Sequence, residues 1–268
     1  MSKFTNYIRK VRASGHHAFT TEQAMSDLDI SAGAVHAAAF RLKKKGELIS
    51  PAKQLYVIVP PEYHMLGCLP AEELVPILME HWRIPYYVCL LSAAAYHGAS
   101  HQKPQIFQVM TEKQMKPILC SQVKIEFIYK KSLQDLPTTL KTVGTGYLTV
   151  SSAELTAMDL LTYPTRCGGL NHTATVLSEL LEAIDPKALL ALMQQSKETA
   201  WIQRLGLILE RIDSMDEIRQ NTLIKVIKNY LDTMHPSPTL LAPNLPRNGR
   251  KPHAKWAVIE NTTIESDL

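Results

Sequence analysis

The sequence has few of the features by which a chain usually declares a chemistry. Its 268 residues include four cysteines, Cys68, Cys89, Cys120 and Cys167. They are widely scattered with no CxxC pair, which argues against a zinc site or a disulfide framework and leaves buried free thiols as the expectation. No apolar run approaches the roughly 18–20 residues of a membrane helix. The opening Met-Ser-Lys-Phe-Thr lacks the apolar stretch of a secretory signal. Internal repeats and low-complexity tracts are missing. No serine or cysteine has a nucleophile-elbow context. Glu112 with Lys116, and Glu126 with Lys130, stand in no compact acidic cluster able to hold Mg²⁺. His97 and His101 have the spacing of two metal ligands on one helix, but Gly98 and Ser100 interrupt it and no third ligand is near in sequence. Gly144-Thr145-Gly146 lacks the strand-loop-helix context of a phosphate cradle and reads as a hairpin turn. The expectation is a soluble, cytoplasmic protein that is not an enzyme and carries no metal or cofactor. Its length leaves room for about two domains, and 46% hydrophobic residues are enough for real cores.

What is present is concentrated near the start. Residues 20–58 read as a winged helix-turn-helix, preceded by a helix whose Phe4, Ile8 and Val11 fall at i, i+4 and i+7. Thr20 followed by Gln23 is a capping-box start, and Ala24, Met25 and Leu28 are the buried side of a short second helix ended by Asp27, Asp29 and Ile30. Ser31 caps a third helix running to about Lys45, in which Val35, Ala38 and Leu42 face inward. The opposite face carries Gly33, His36, Ala37, Phe40, Arg41 and Lys44. Small residues at its start let the backbone approach a groove, while His36 and Arg41 are the side chains able to reach base edges. Gly46 is the expected left-handed stop. Residues 47–50 and 55–59 are expected strands, joined by Pro51, Ala52, Lys53 and Gln54 as the wing tip.

A three-helix unit with a hairpin can also mediate protein contacts, and charge argues against that here. Residues 1–60 hold nine Lys/Arg against four acids, a net of +5, whereas the whole chain carries +4. An excess on and around the third helix is the electrostatic footprint of phosphate binding. Ser31, Gly33, His36, Ala37, Phe40, Arg41, Lys43, Lys44, Lys53 and Gln54 are accordingly the candidate contacts with double-stranded DNA.

Past the wing, Pro60-Pro61 breaks the last strand and residues 72–82 read as a connecting helix. The expected division is a winged helix at 1–62, a connector at 63–85 and a larger domain at 86–268. In the latter, a helical segment over 88–96 precedes strands at 106–110, 123–129 and within 143–150. Ser151 and Glu154 form a second capping box, opening a helix that Tyr163-Pro164 stops. Helices follow at about 171–183, 187–195, 199–212 and 222–231. Strands first and helices afterwards argue for an α+β domain with a helical C-terminal half. Trp201, Leu205 and Ile208 or Leu209 form a core stripe, with Arg204 a possible anchor for a buried carboxylate.

Four stretches of this region resemble the AbiEi family of antitoxins. The first is Tyr86-Tyr87-Val88-Cys89-Leu90-Leu91-Ser92-Ala93-Ala94 through His97-Gly98-Ala99, with His101-Gln102 and Pro104-Gln105 to Val109. The second is Ser151 to Tyr163, containing Asp159-Leu160-Leu161, followed by Gly168-Gly169-Leu170. The third is Gln203-Arg204-Leu205-Gly206 with Leu209-Glu210. The fourth is Pro243 to Gly249, then Lys255-Trp256 and Glu260-Asn261 to Asp267-Leu268. The resemblance implies a bacterial type IV toxin–antitoxin (abortive-infection) module. In it a winged helix binds inverted repeats at its own promoter and represses it, and the C-terminal domain counteracts a nucleotidyltransferase-like toxin without needing a stable complex. A second basic element, Arg247, Arg250, Lys251 and Lys255 with His253, is usually a solvated loop; the alternative is support for DNA contact or toxin antagonism. Two other readings stay open: a ligand-responsive winged-helix regulator without a toxin partner, and a DNA-modifying or nucleotidyl-transferring enzyme.

Overall fold

In the computed structural model, which describes residues 3–99, 104–196, 198–213, 216–247 and 249–264, the chain divides into two compact units that alternate along the sequence. Residues up to 87, 105–133 and 140–149 make the first unit; 88–104, 134–139 and the chain from 150 onward make the second.

The first unit opens with α1 (Lys3–Ala13), β1 (Ala18–Thr20), α2 (Thr21–Leu28), α3 (Ala32–Lys44), β2 (Leu48–Ala52) and β3 (Leu55–Ile58). Each boundary has a local cause. Thr20 accepts the Gln23 amide at 3.2 Å while the Gln23 side chain accepts the Thr20 amide at 2.7 Å, so the expected capping box forms. Asp29 turns left-handed to end α2, Ser31 caps α3 through the Ala34 amide at 3.3 Å, and Gly46 takes φ +74° just beyond it. Phe4, Tyr7, Phe19, Ala24, Val35, Ala39, Leu42, Leu48, Tyr56 and Ile58 form one core. Tyr7 contributes more to it than the expected Ile8 and Val11, which are only partly buried. Burial and the Asp27 carboxylate that accepts its hydrogen bond push the Tyr7 phenol up to about 12. The wing differs in detail from the expectation. Strand β2 runs on to Ala52, leaving a two-residue turn of Lys53 and Gln54 with Gln54 at φ +62°, and β1 adds a third strand paired to β3. Because both partners of the capping box lie within the winged helix, Thr20→Ala is expected to lower stability by about 0.5–2 kcal/mol in denaturant unfolding, with Thr20→Ser close to wild type.

The rest of the unit is α4 (Ala71–Trp82) with strands β4 (Tyr86–Val88), β5 (Phe107–Thr111), β6 (Ile118–Cys120), β7 (Val123–Tyr129), β8 (Thr138–Val143) and β9 (Gly146–Ser151). They form a mixed sheet in the order β6-β7-β5-β4-β9-β8, with β5 parallel to β7 and β6 antiparallel to it; the ends of β4, β8 and β9 belong to the second unit. Trp82 of α4 meets Phe127 of β7 edge-on. Gly144 and Thr145 join β8 to β9, the expected hairpin turn.

The second unit holds α5 (Leu90–Tyr96), α6 (Ala153–Thr162), α7 (Leu170–Leu180), α8 (Pro186–Gln195), α9 (Ala200–Arg211), α10 (Glu217–Met234) and the short parallel pair β10 (Thr239–Leu240) and β11 (Val258–Ile259). Residues 153–161 and 201–209 are buried throughout, so α6 and α9 are the central helices. The capping box expected at Ser151 and Glu154 is not formed. Ser152 is the N-cap, which places Leu155 at the third helical position; Ser151 hydrogen-bonds the Thr156 hydroxyl, and the Glu154 carboxylate accepts the Asp185 amide at 2.8 Å. Helix α10 is longer than expected because Asp216 caps it by accepting the Arg219 amide.

Arg204 serves carbonyls rather than a carboxylate. It donates to Leu240 O at 2.9 Å, Leu161 O at 3.4 Å and the Thr239 hydroxyl at 3.4 Å. Burial lowers the pKa of its guanidinium, opposed by the charge of Glu198. Gln203 donates to the carbonyls of Ser237, Trp256 and Ala257. One turn on, Gly206 lies against the Trp256 indole, where a Cβ would sit 2.3 Å from the ring. Glu210 accepts from the Trp256 indole N–H and from Lys255. Burial raises the Glu210 carboxyl, but those donors and the Lys255 charge win and hold it below its usual value. The Gln203-Arg204-Leu205-Gly206 motif is thus a clamp that holds the C-terminal segment on α9.

Candidate nucleic-acid interface

Burial of Val35, Ala39 and Leu42 fixes which side of α3 faces outward. Gly33, His36, Ala37, Phe40, Arg41 and Lys44 are all exposed, at i, i+3, i+4, i+7, i+8 and i+11, which is one continuous stripe of the helix. The 13-residue helix is about 20 Å long, and a helix diameter of about 10–12 Å matches a major groove about 12 Å wide. The helix start is small: Gly33 faces open space apart from the Ser31 hydroxyl at 3.9 Å. Ser31 is exposed, and its hydroxyl proton is available to donate while its oxygen caps Ala34.

The middle of the stripe joins an apolar ring to positive charge. Phe40 is 57% exposed, and the Lys44 ammonium sits 4.8 Å from its ring centre. An exposed phenylalanine among cations has an unsatisfied apolar surface, which thymine methyls or sugars can cover. Arg41 is exposed at the next position, and Lys43 flanks the stripe, also exposed. Lys53 and Gln54 are exposed at the wing turn.

The wing turn is held from below by two contacts that sequence reasoning missed. The Lys53 carbonyl accepts from His81 Nε2 of α4 at 3.1 Å, and the Gln54 carbonyl accepts the Thr21 amide at 3.0 Å. These pin the backbone while both side chains stay in solvent. No local signal reveals them, since His81 lies 28 residues from Lys53.

The other candidates fall in the second unit. Arg247 and Lys251 are exposed, Arg250 donates to the Glu260 carbonyl at 3.3 Å, and Lys255 pairs with Glu210 at 2.7 Å while lying over the Trp256 ring. Lys255 is therefore already engaged in the clamp. His97 bonds the Ser151 carbonyl through Nε2 at 2.8 Å. Its expected companion His101, and Asp267-Leu268 of the C-terminal motif, lie outside the described residues.

Residues 86–211 match the family model for the AbiEi antitoxin C-terminal domain. The crystal structure of RV2827C protein from Mycobacterium tuberculosis is similar to 95% of this chain over 89% of its own, with a TM-score of 0.64 at 16% identity. That likeness shows the fold alone. The crystal structure of an antigenic nucleotidyltransferase-like protein from Paracoccidioides brasiliensis aligns with 61% of this chain over 88% of its own, at 9% identity and a TM-score of 0.34, and nothing rests on it. No curated protein matches the sequence. Residues 86–211, which contain α5, α6 and α9, thus carry an AbiEi antitoxin C-terminal domain.

Proposed function

We propose that the chain is a DNA-binding antitoxin that represses its own type IV toxin–antitoxin operon in the bacterial cytoplasm. The observation that carries the DNA half is the exposed stripe of α3, with its basic end and adjoining basic wing. Helix α3 enters a major groove at each half of an inverted repeat, where His36 and Arg41 face bases and Phe40 makes apolar contact. Ser31 and the helix start hold a phosphate, and Lys43, Lys44 and Lys53 grip the backbone alongside. Residues 1–62 carry this activity, 63–85 connect, and 86–268 counteract a nucleotidyltransferase-like toxin without a lasting complex and without bond-making chemistry. The AbiEi antitoxin domain at residues 86–211 supports the second half.

The two activities separate by mutation in the full chain. A variant with Arg41, Lys43 and Lys44 all changed to alanine is expected to lose footprinting of its own promoter and derepress a reporter, yet still rescue growth arrested by the toxin encoded beside it. Loss of rescue together with DNA binding, in a variant that unfolds like wild type, would show that the two activities are one.

A further inference from the structure

Two turns of the first unit meet at close range. Gly67 lies against Ser121, close enough that a Cβ at Gly67 would stand 2.5 Å from the Ser121 hydroxyl, and the Gln122 amide donates to the Met65 carbonyl at 3.3 Å. Cys68 follows the first of these turns and Cys120 precedes Ser121 at the tip of the β6–β7 hairpin, paired across it with Val123. The contact sets the turns that carry the two thiols side by side, although Cys68 and Cys120 are 52 positions apart in the chain. All four cysteines are reduced; Cys68, Cys89 and Cys167 are buried, while Cys120 is partly exposed.

We propose that Cys68 and Cys120 are a reversible dithiol–disulfide pair that exchanges with small-molecule disulfides, with Cys120 reacting first and Cys68 closing the bond. Exposure gives Cys120 access to the reagent, and contact between the turns keeps Cys68 in place to resolve it. Electrostatics act in the same direction. The hydrogen bond from Cys68, with the nearby charge of Lys43, outweighs burial and lowers the Cys120 thiol; donation of that bond and burial raise Cys68. The thiolate is the attacking form.

With oxidised glutathione the balance is complete. The Cys120 thiolate attacks one glutathione sulfur, the reagent's S–S bond breaks, and a glutathione thiolate leaves. Cys68 gives its proton to that thiolate and attacks the Cys120 sulfur, displacing the second glutathione. Two protein thiols are oxidised to one disulfide, and one small disulfide is reduced to two thiols. The new bond ties the connector after the wing to the β6–β7 hairpin.

The test uses the full chain in graded mixtures of oxidised and reduced glutathione, acid-quenched, alkylated and read by mass spectrometry. The expected result is the joint loss of two of the four alkylatable thiols, recovered by dithiothreitol, with a linked peptide joining positions 68 and 120 and no retained glutathione. Cys68→Ser should instead hold a stable glutathione adduct on Cys120, and Cys120→Ser should leave Cys68 unreacted. A lasting adduct in the wild type, four unchanged thiols, or a link involving Cys89 or Cys167 overturns the proposal without need of either variant.

Discussion

Gly206→Ala is expected to destabilise the protein by roughly 1–3 kcal/mol, the usual cost of forcing extra atoms into a filled core. The direction is opposite to that of an ordinary helical glycine, where alanine gains up to about 1 kcal/mol of helix propensity. The difference lies in the neighbour: the added methyl would stand 2.3 Å from Trp256, a rigid ring that Glu210 and Lys255 hold in place. Trp256→Ala alone should cost about 3–5 kcal/mol, because a fully enclosed indole leaves a large cavity. In that background the alanine at 206 meets empty space, so the second change should become neutral or stabilising. A double-mutant cycle by denaturant unfolding measures this coupling. Additive costs in the two backgrounds would rule out the contact as the reason for the glycine.

The second large effect is on DNA. Changing Lys43, Lys44 and Lys53 to alanine together should flatten the dependence of log affinity on log salt by about 2.7 if each contacts one phosphate, at roughly 0.9 per contact. Affinity should fall alike for operator and unrelated duplex. Arg41→Ala should do something different: it should lose about 1–3 kcal/mol of discrimination between operator and a base-substituted site if it reads a guanine, with the salt slope little changed. Fluorescence anisotropy over a salt series, with both duplexes, separates the two behaviours. If Arg41→Ala and the lysine variant weaken both duplexes equally, the division between reading and gripping is wrong. Half-sites about one helical turn apart would place two copies on one DNA face.

The winged helix was legible because its determinants are local. A capping box spans four residues, a helix face repeats within two turns, and the pairs Thr20 with Gln23 and Ser31 with Ala34 form as their spacing implies. Legibility failed where local signals were ambiguous or partners distant. The expected cap at Ser151 gives way to Ser152, because the end of β9 draws Ser151 inward, and Glu154 reaches Asp185, 31 residues away. The short strands β1, β4 and β6 have too few residues to show alternation, so only their pairing defines them. Arg204 reads in the sequence as an anchor for a buried carboxylate, whereas the Leu240 carbonyl 36 residues later, the Leu161 carbonyl 43 residues earlier and the Thr239 hydroxyl satisfy it. In the candidate interface the outward side chains could be read from the third helix, but the support of the wing by His81 could not.

The alternation of the two compact units has a consequence for how such a gene can change. The chain passes from one unit to the other five times, every crossing lying beyond residue 87. The stretch proposed to read DNA is uninterrupted, but its unit is completed by residues 61–87, 105–133 and 140–149. A recombined cassette ending near residue 60 could give the protein a new operator only if it kept the seat of the wing on His81. A junction between residues 88 and 149 likewise divides a unit between two parents, so exchange of blocks is constrained along most of the chain and point substitution on the outer face of α3 is the easier route to a new site.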